Sequence, residues 1–207
     1  VNQAYGTDLR AIIRETALEQ FATSGVDGVS VAEICRVARI ANGSFYNFYR
    51  NKDALLDDLL GEARRILREK LAAAQRGNTT PEADHRRDVT IIVEFARDHQ
   101  ELYRLALGPA PEGVRRASVV EEFVAQRTRE IERNVRGGRF RKDLPPRLTA
   151  YALIGMMVST VNWWVLHQAE MSAEDLIDHL TKLRTRMTNG SDLPSRRSAV
   201  VVRPRRR

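Results

Sequence analysis

The chain has 207 residues, 43% of them hydrophobic, with 34 basic and 27 acidic side chains and a formal charge of +7. That composition excludes a wholly disordered chain and allows one ordinary core, or a small domain joined to a medium one. The single cysteine, Cys35, excludes an intramolecular disulfide and a cysteine-based zinc site, and fits a reducing, cytoplasmic setting.

The charge is unevenly placed. Residues 1–52 carry six basic and five acidic groups, residues 53–188 carry 22 and 21, and residues 189–207 carry six and one. The excess sits in the last stretch, so the bulk charge does not mark the body of the chain as a nucleic-acid binder. The first ten residues lack the basic and then apolar pattern of a secretory signal.

In chain order, Leu9, Ile12, Ile13, Ala17 and Phe21 fall on one helical stripe, started by a cap at Thr7 or Asp8 and stopped at Ser24-Gly25. Ser30 and Glu33 form a capping box that opens a short helix ending near Val37 or Ala38. A second short helix spans 42–49. Asn51 then caps a long helix from Lys52, striped by Leu55, Leu56, Leu59, Leu60, Ala63, Ile66, Leu67 and Leu71. Further helices are predicted at 83–107, 115–135, 146–168 and 172–188, separated by Gly/Pro breakers. The apolar run Leu148–Leu166 approaches a membrane-spanning length, but Thr149, Gly155, Ser159, Thr160 and Asn162 interrupt it, and it reads as a packing helix. Residues 189–207 have no periodic apolar face and read as a disordered basic tail. The class is all-α.

A helix-turn-helix needs two short helices held at a steep angle by a small apolar knot, so that the second enters the major groove. Val29, Ile34, Cys35, Ala38, Ile40, Phe45 and Phe48 supply such a knot, together with Leu9, Ile13 and Phe21. Within residues 29–56, the run Gly-Ser-Phe-Tyr-Asn-Phe-Tyr-Arg-Asn-Lys-Asp-Ala-Leu-Leu resembles the signature of the TetR family of transcriptional regulators. The resemblance implies a DNA-binding domain over 1–51, with its helix-turn-helix at about 30–48, and a helical effector-binding and dimerisation domain over 52–188. It also implies a homodimer that binds palindromic operator DNA and is released by a small apolar or amphipathic effector.

In that reading Asn42, Gly43, Ser44 and Asn47 approach base edges, while Tyr46, Lys52 and Ser30 meet phosphates. Two positions depart from the family pattern. Arg39 stands where glycine is common, so either it takes a positive φ or the turn differs, and it is itself a candidate phosphate contact. Ala41 stands where a serine or threonine cap is common. Phe95, Tyr103, Phe123, Tyr151, Met156 and Trp163 are candidate effector walls, with Met157 and Trp164 beside them. The resemblance further implies that the last two helices form the dimer interface, with Ala152, Gly155, Met156, Ser159 and Asn162 allowing close approach on one and Leu176, Ile177, Leu180 and Leu183 striping the other.

Cys35 reads as a packing residue, and His85, His99, His167 and His179 have no metal-ligand spacing. No catalytic constellation emerges, so neither enzyme, metal site nor cofactor is expected. Two other readings stay open: an activator with the same DNA-binding unit, and a sequence-independent nucleic-acid binder that uses the arginine-rich tail.

Overall fold

The computed structural model describes residues 2–74, 79–108 and 114–189; the basic tail, residues 190–207, lies outside them. The described residues form nine helices and no strand: α1 (Asn2–Ser24), α2 (Val31–Ala38), α3 (Asn42–Tyr46), α4 (Lys52–Ala74), α5 (Pro81–Asp98), α6 (Gln100–Leu107), α7 (Val114–Arg136), α8 (Pro146–Leu166) and α9 (Ala173–Thr188).

Local chemistry sets most boundaries. Gly25, at φ 73°, closes α1, its N–H donating to the Phe21 carbonyl. The Ser30 hydroxyl accepts from the Glu33 N–H at 3.1 Å and starts α2. The Glu33 carboxylate turns instead to Arg36, at 2.6 Å, so only half of the expected capping box forms. Asn51 Oδ1 accepts from the Ala54 N–H at 2.9 Å, fixing the start of α4. Thr80 with Pro81 opens α5, and Ser172 opens α9 by accepting from the Asp175 N–H.

Three boundaries differ from the sequence reading. Helix α1 begins at Asn2 instead of Thr7 or Asp8. The second short helix ends at Tyr46, not residue 49, where the Phe48 N–H tightens onto the Phe45 carbonyl three residues back. The helix expected over 83–107 breaks at His99, whose backbone leaves the helical region at φ −135°, ψ 57°. Neither glycine nor proline marks that break. It redirects α6 against α1, and burial of Leu102, Tyr103, Leu105, Ala106 and Leu107 offsets the lost continuity.

The main core runs continuously from Ile13, Phe21, Ile34 and Phe45 through Leu55, Leu59 and Leu67 to Phe95, Tyr103, Val161 and Leu180. Helix α4 joins its two ends. Its first half receives Arg14 of α1 on Asp58 and Glu62, and its second half pairs Arg68 with Glu122 of α7. A second cluster of Val124, Ile131, Phe140, Ala150, Leu153 and Ile154 packs α7 on α8, while α9 lies along α5.

Candidate functional site

The helix-turn-helix is locked from beneath. Phe45 is fully buried, with Tyr46 edge-on to it at 5.4 Å and Tyr49 tilted against it at 5.8 Å. The Tyr49 hydroxyl donates to Asp58 Oδ2 at 2.7 Å, and Arg10 Nε reaches the same hydroxyl at 3.2 Å. Burial alone would raise the Asp58 pKa. The Tyr49 hydrogen bond and the Arg14 and Arg10 charges outweigh it and hold the carboxyl below its usual range. Asp58 is therefore an anionic post to which α1, α4 and the segment after α3 are tied.

Above this base, Ser30, Arg39, Asn42, Gly43 and Asn47 are exposed, Ser44 is half-buried, and the Tyr46 ring is 58% exposed. All of these residues are thus open to solvent at least in part, with Tyr46 turned outward and its neighbours Phe45 and Tyr49 buried. Gly43 has open space where a Cβ would stand, so steric crowding within the protomer does not demand glycine there. Arg39 takes the left-handed conformation, φ 55° and ψ 42°, and is the only non-glycine residue with a positive φ among those described. Ala41 occupies the cap of α3 and makes no side-chain cap hydrogen bond.

Lys52 departs from the expected arrangement. Its Nζ donates to the Val26 and Val29 carbonyls at 2.7 and 2.8 Å, so the ammonium braces the turn between α1 and α2. The reach back over 23 and 26 residues is a tertiary contact that sequence spacing does not show.

The proposed effector walls are scattered. Phe95 and Tyr103 are core residues in edge contact at 6.3 Å. Tyr151 and Trp163 lie on the outer side of α8, 37% and 41% exposed, and Met156 is half-buried. Trp164 is buried with its Nε1–H on the Met171 carbonyl. Only Phe123 of the six, with the neighbouring Met157, lines an apolar chamber of about 40 Å³ between α4, α5, α6, α7 and α8. Leu71, Ile92, Leu107, Val120, Ile154 and Val158 complete its apolar wall, and Asp88, Gln126, Arg127 and Glu130 add its polar lining. The set scatters because side-chain type cannot reveal which way a helix face turns.

Sequence reasoning also missed the charges beside this chamber. Asp88 of α5 receives both Arg127 of α7 and Arg184 of α9, and Arg127 pairs in addition with Glu130. Arg184 is 1% exposed. Burial and the nearby Arg127 lower its pKa to about 10, against the pull of Asp88 and Glu130. His85 is buried beside them, stacked on Phe140 at 5.6 Å. Its pKa falls to about 3 through burial and then through Arg184 and Arg127. The Thr188 hydroxyl donates to the Arg184 carbonyl and accepts from His85 Nε2, which leaves His85 Nδ1 as a bare acceptor. A single histidine and an arginine spaced across a hundred residues carry no motif, so only packing reveals the cluster.

Helix α8 leaves one apolar face open. Leu148, Tyr151, Ala152, Gly155, Ser159, Trp163 and Leu166 recur at helical spacing and are all exposed. It is the one helix among the described residues long and apolar enough to cross a membrane by length and composition. Leu176, Ile177 and Leu180 of α9, expected at an interface, are instead buried, where α9 packs along α5; Leu183 stays exposed.

Comparison with known proteins places this geometry. Residues 13–59 match the model of bacterial regulatory proteins of the tetR family. The HTH-type transcriptional regulator YhgD of Bacillus subtilis is 21% identical over 177 residues, covering 82% of this chain and 91% of that protein. Among solved structures, the regulator FadR of Bacillus subtilis in complex with stearoyl-CoA superposes with a TM-score of 0.70 at 16% identity, over 84% of this chain and 96% of that one. AibR in complex with isovaleryl coenzyme A and operator DNA superposes with a TM-score of 0.69 at 19% identity, over 84% and 97%. Residues 13–59 thus carry the DNA-binding domain described by the tetR family model, and the chain as a whole is similar in layout to helix-turn-helix transcriptional regulators.

Proposed function

We propose that the chain acts in the cytoplasm as a homodimeric repressor that binds a palindromic operator and leaves it when a small amphipathic molecule binds. The outer face of α3 carries this reading: Asn42, Gly43, Ser44, Tyr46 and Asn47 stand free of the core on a rigid aromatic base. In it, Asn42 and Asn47 read base edges, and Tyr46, Ser30 and Arg39 position the domain on phosphates. Lys52 serves DNA indirectly by holding the turn before Ser30, or directly once its ammonium leaves the two carbonyls.

The open face of α8 supports the homodimer. Glycine, alanine and serine there allow close approach of a second copy, and Tyr151, Trp163 and Leu166 gain burial. Two-fold symmetry then sets recognition helices about 35 Å apart, one DNA turn.

The chamber beside Phe123 supports a small effector, as do the two acyl-CoA complexes among the solved relatives. Leu71 of α4 and Leu107 of α6 line it, and α6 packs on α1. A molecule that widens the chamber therefore pushes on both helices that support the DNA-binding face, shifting the population toward a spacing that no longer fits DNA.

Selection of bound sequences from a random DNA library at about 150 mM salt tests the reading, because nonspecific phosphate binding fades at that salt. A shared palindrome is expected from the full chain and from a version ending at Asn189, which keeps the buried Thr188. Binding without a motif, lost on truncation, refutes it in favour of the basic tail.

A further inference from the structure

The charged cluster beside the apolar chamber also borders a second cavity. This one, about 200 Å³, lies between α5, α7 and the turn after α7, and it is lined by Asp84, His85, Arg87, Arg133, Arg139 and Phe140 among others. Asp88, Arg127 and Glu130 line both spaces, so one polar and one apolar compartment meet at the same three side chains.

The donor inventory of this junction is unbalanced. Arg184 is 1% exposed, yet its Nη1 meets only the Met157 sulfur at 3.3 Å and its Nη2 reaches Asp88 Oδ2 at 3.5 Å. Its Nε has no partner, and neither has the buried Nε of Arg87. Asp88 Oδ2 is shared between Arg127 and Arg184. A buried and a half-buried guanidinium thus converge on one carboxylate oxygen, with thioether sulfur as a poor substitute acceptor. Guanidinium N–H groups are satisfied best by a bidentate oxyanion, and buried donors are rarely left bare. At the mouth, Arg139 adds its Nη2 to the Thr79 carbonyl and Asp84. The compartment itself presents arginine from α5, α7 and the turn, with Arg184 of α9 buried behind Asp88.

We propose that the effector is a small organic acid, with its carboxylate or phosphate head among Arg87, Arg127 and Arg184 and a short apolar tail in the chamber beside Phe123 and Met157. The assignment rests on the ligand-responsive reading above and narrows it to an anionic head with a short tail. The head replaces the strained sharing of Asp88 by two guanidiniums with a second oxyanion. The tail has little room unless Met157, an adaptable side chain, moves aside. Because Met157 is also the acceptor of Arg184 Nη1, head and tail act on the same contact: tail entry frees the guanidinium that the head then binds.

Titration calorimetry of the full chain with hexanoate, hexyl phosphate, hexan-1-ol and inorganic phosphate tests this. At least one of the two hexyl anions should bind ten-fold or more tighter than both hexan-1-ol and inorganic phosphate, and whichever wins identifies the head. Arg133→Gln with Arg139→Gln, at the exposed rim, should weaken the anion several-fold and leave hexan-1-ol unchanged. Val120→Phe, which fills the chamber, should abolish the advantage of hexanoate over acetate. Equal binding of hexan-1-ol and the anions overturns the head-group site, equal binding of inorganic phosphate overturns the tail site, and no binding of any hexyl probe overturns both. Operator affinity is measured separately on the same protein without probe. Failure of the acid site thus leaves DNA binding intact, whereas failure of the regulator reading shows as lost operator affinity with probe binding retained.

Discussion

Replacing Ala41 by serine is expected to stabilise the helix that faces DNA. Ala41 sits at the cap of α3 with φ −70° and ψ 143°, the extended geometry a capping side chain requires, and it is exposed. The Ser44 N–H lies three residues on, at the position a serine hydroxyl reaches, and already points to the Ala41 carbonyl at 2.9 Å. A serine hydroxyl gives that N–H a second acceptor beside the carbonyl, and the usual difference between serine and alanine at a cap is about 1 kcal/mol. That free energy corresponds to a roughly five-fold smaller locally open population, and to a rise of about 2–4 °C in Tm if the whole chain unfolds together. Amide exchange at Phe45 and Tyr46 reads the local effect directly. The adjoining Arg39→Gly relieves a left-handed conformation that costs roughly 1–2 kcal/mol, offset by the extra ~0.5–1 kcal/mol of backbone entropy that glycine loses. It should therefore be neutral to mildly stabilising while reducing the salt dependence of DNA binding by one charge. Unchanged exchange in Ala41→Ser would refute the account of α3 as an uncapped helix, and a clear loss of stability in Arg39→Gly would refute the strain at the turn.

Other outcomes follow from the same contacts. His85 has its pKa depressed to about 3, so the unfolded chain binds its proton first on acidification. Its contribution is complete above pH 6.5 and shrinks as pH falls toward 3, by roughly 2 kcal/mol at pH 5; urea melts at pH 7 and 5 should show this loss in the native chain and not in His85→Gln. Lys52→Met should cost about 1–3 kcal/mol of stability by removing the ammonium from the Val29 carbonyl and leaving the Val26 carbonyl only its long bond from the Val29 N–H, besides weakening operator binding, whereas Tyr46→Phe should weaken operator binding alone. Melts and fluorescence anisotropy separate the two, and equal stability of Lys52→Met with the native chain would discount the brace. A Cβ at the exposed Gly155 meets no neighbour within the protomer, so the fold of Gly155→Arg should survive while sedimentation shows a monomer. A dimer that persists would move the interface away from α8.

Much of the helix-turn-helix was legible in the residues because its determinants are local. Ser30 and Asn51 cap through amides three residues away, and Gly25 ends a helix by its own backbone freedom. The 3.6-residue stripe of α4 likewise identifies its buried face without reference to any partner. The left-handed Arg39 and the bare cap at Ala41 were visible as departures from a pattern, and each stands where that pattern put it. What lay beyond the sequence depends on contacts between distant segments. The break at His99 carries no glycine or proline, because it is set by where α6 must turn to meet α1. Lys52 and Tyr46 are polar-tipped residues six positions apart, and only packing decides that one ties down a turn while the other faces outward. The aromatic residues of the second half look alike in sequence, yet helix rotation sends Phe95 inward, Trp163 outward and Phe123 to the chamber. The convergence of Arg184 on Asp88, 96 residues away, follows from the pairing of α9 with α5, since charges so far apart in the chain interact only when tertiary packing removes the water between them.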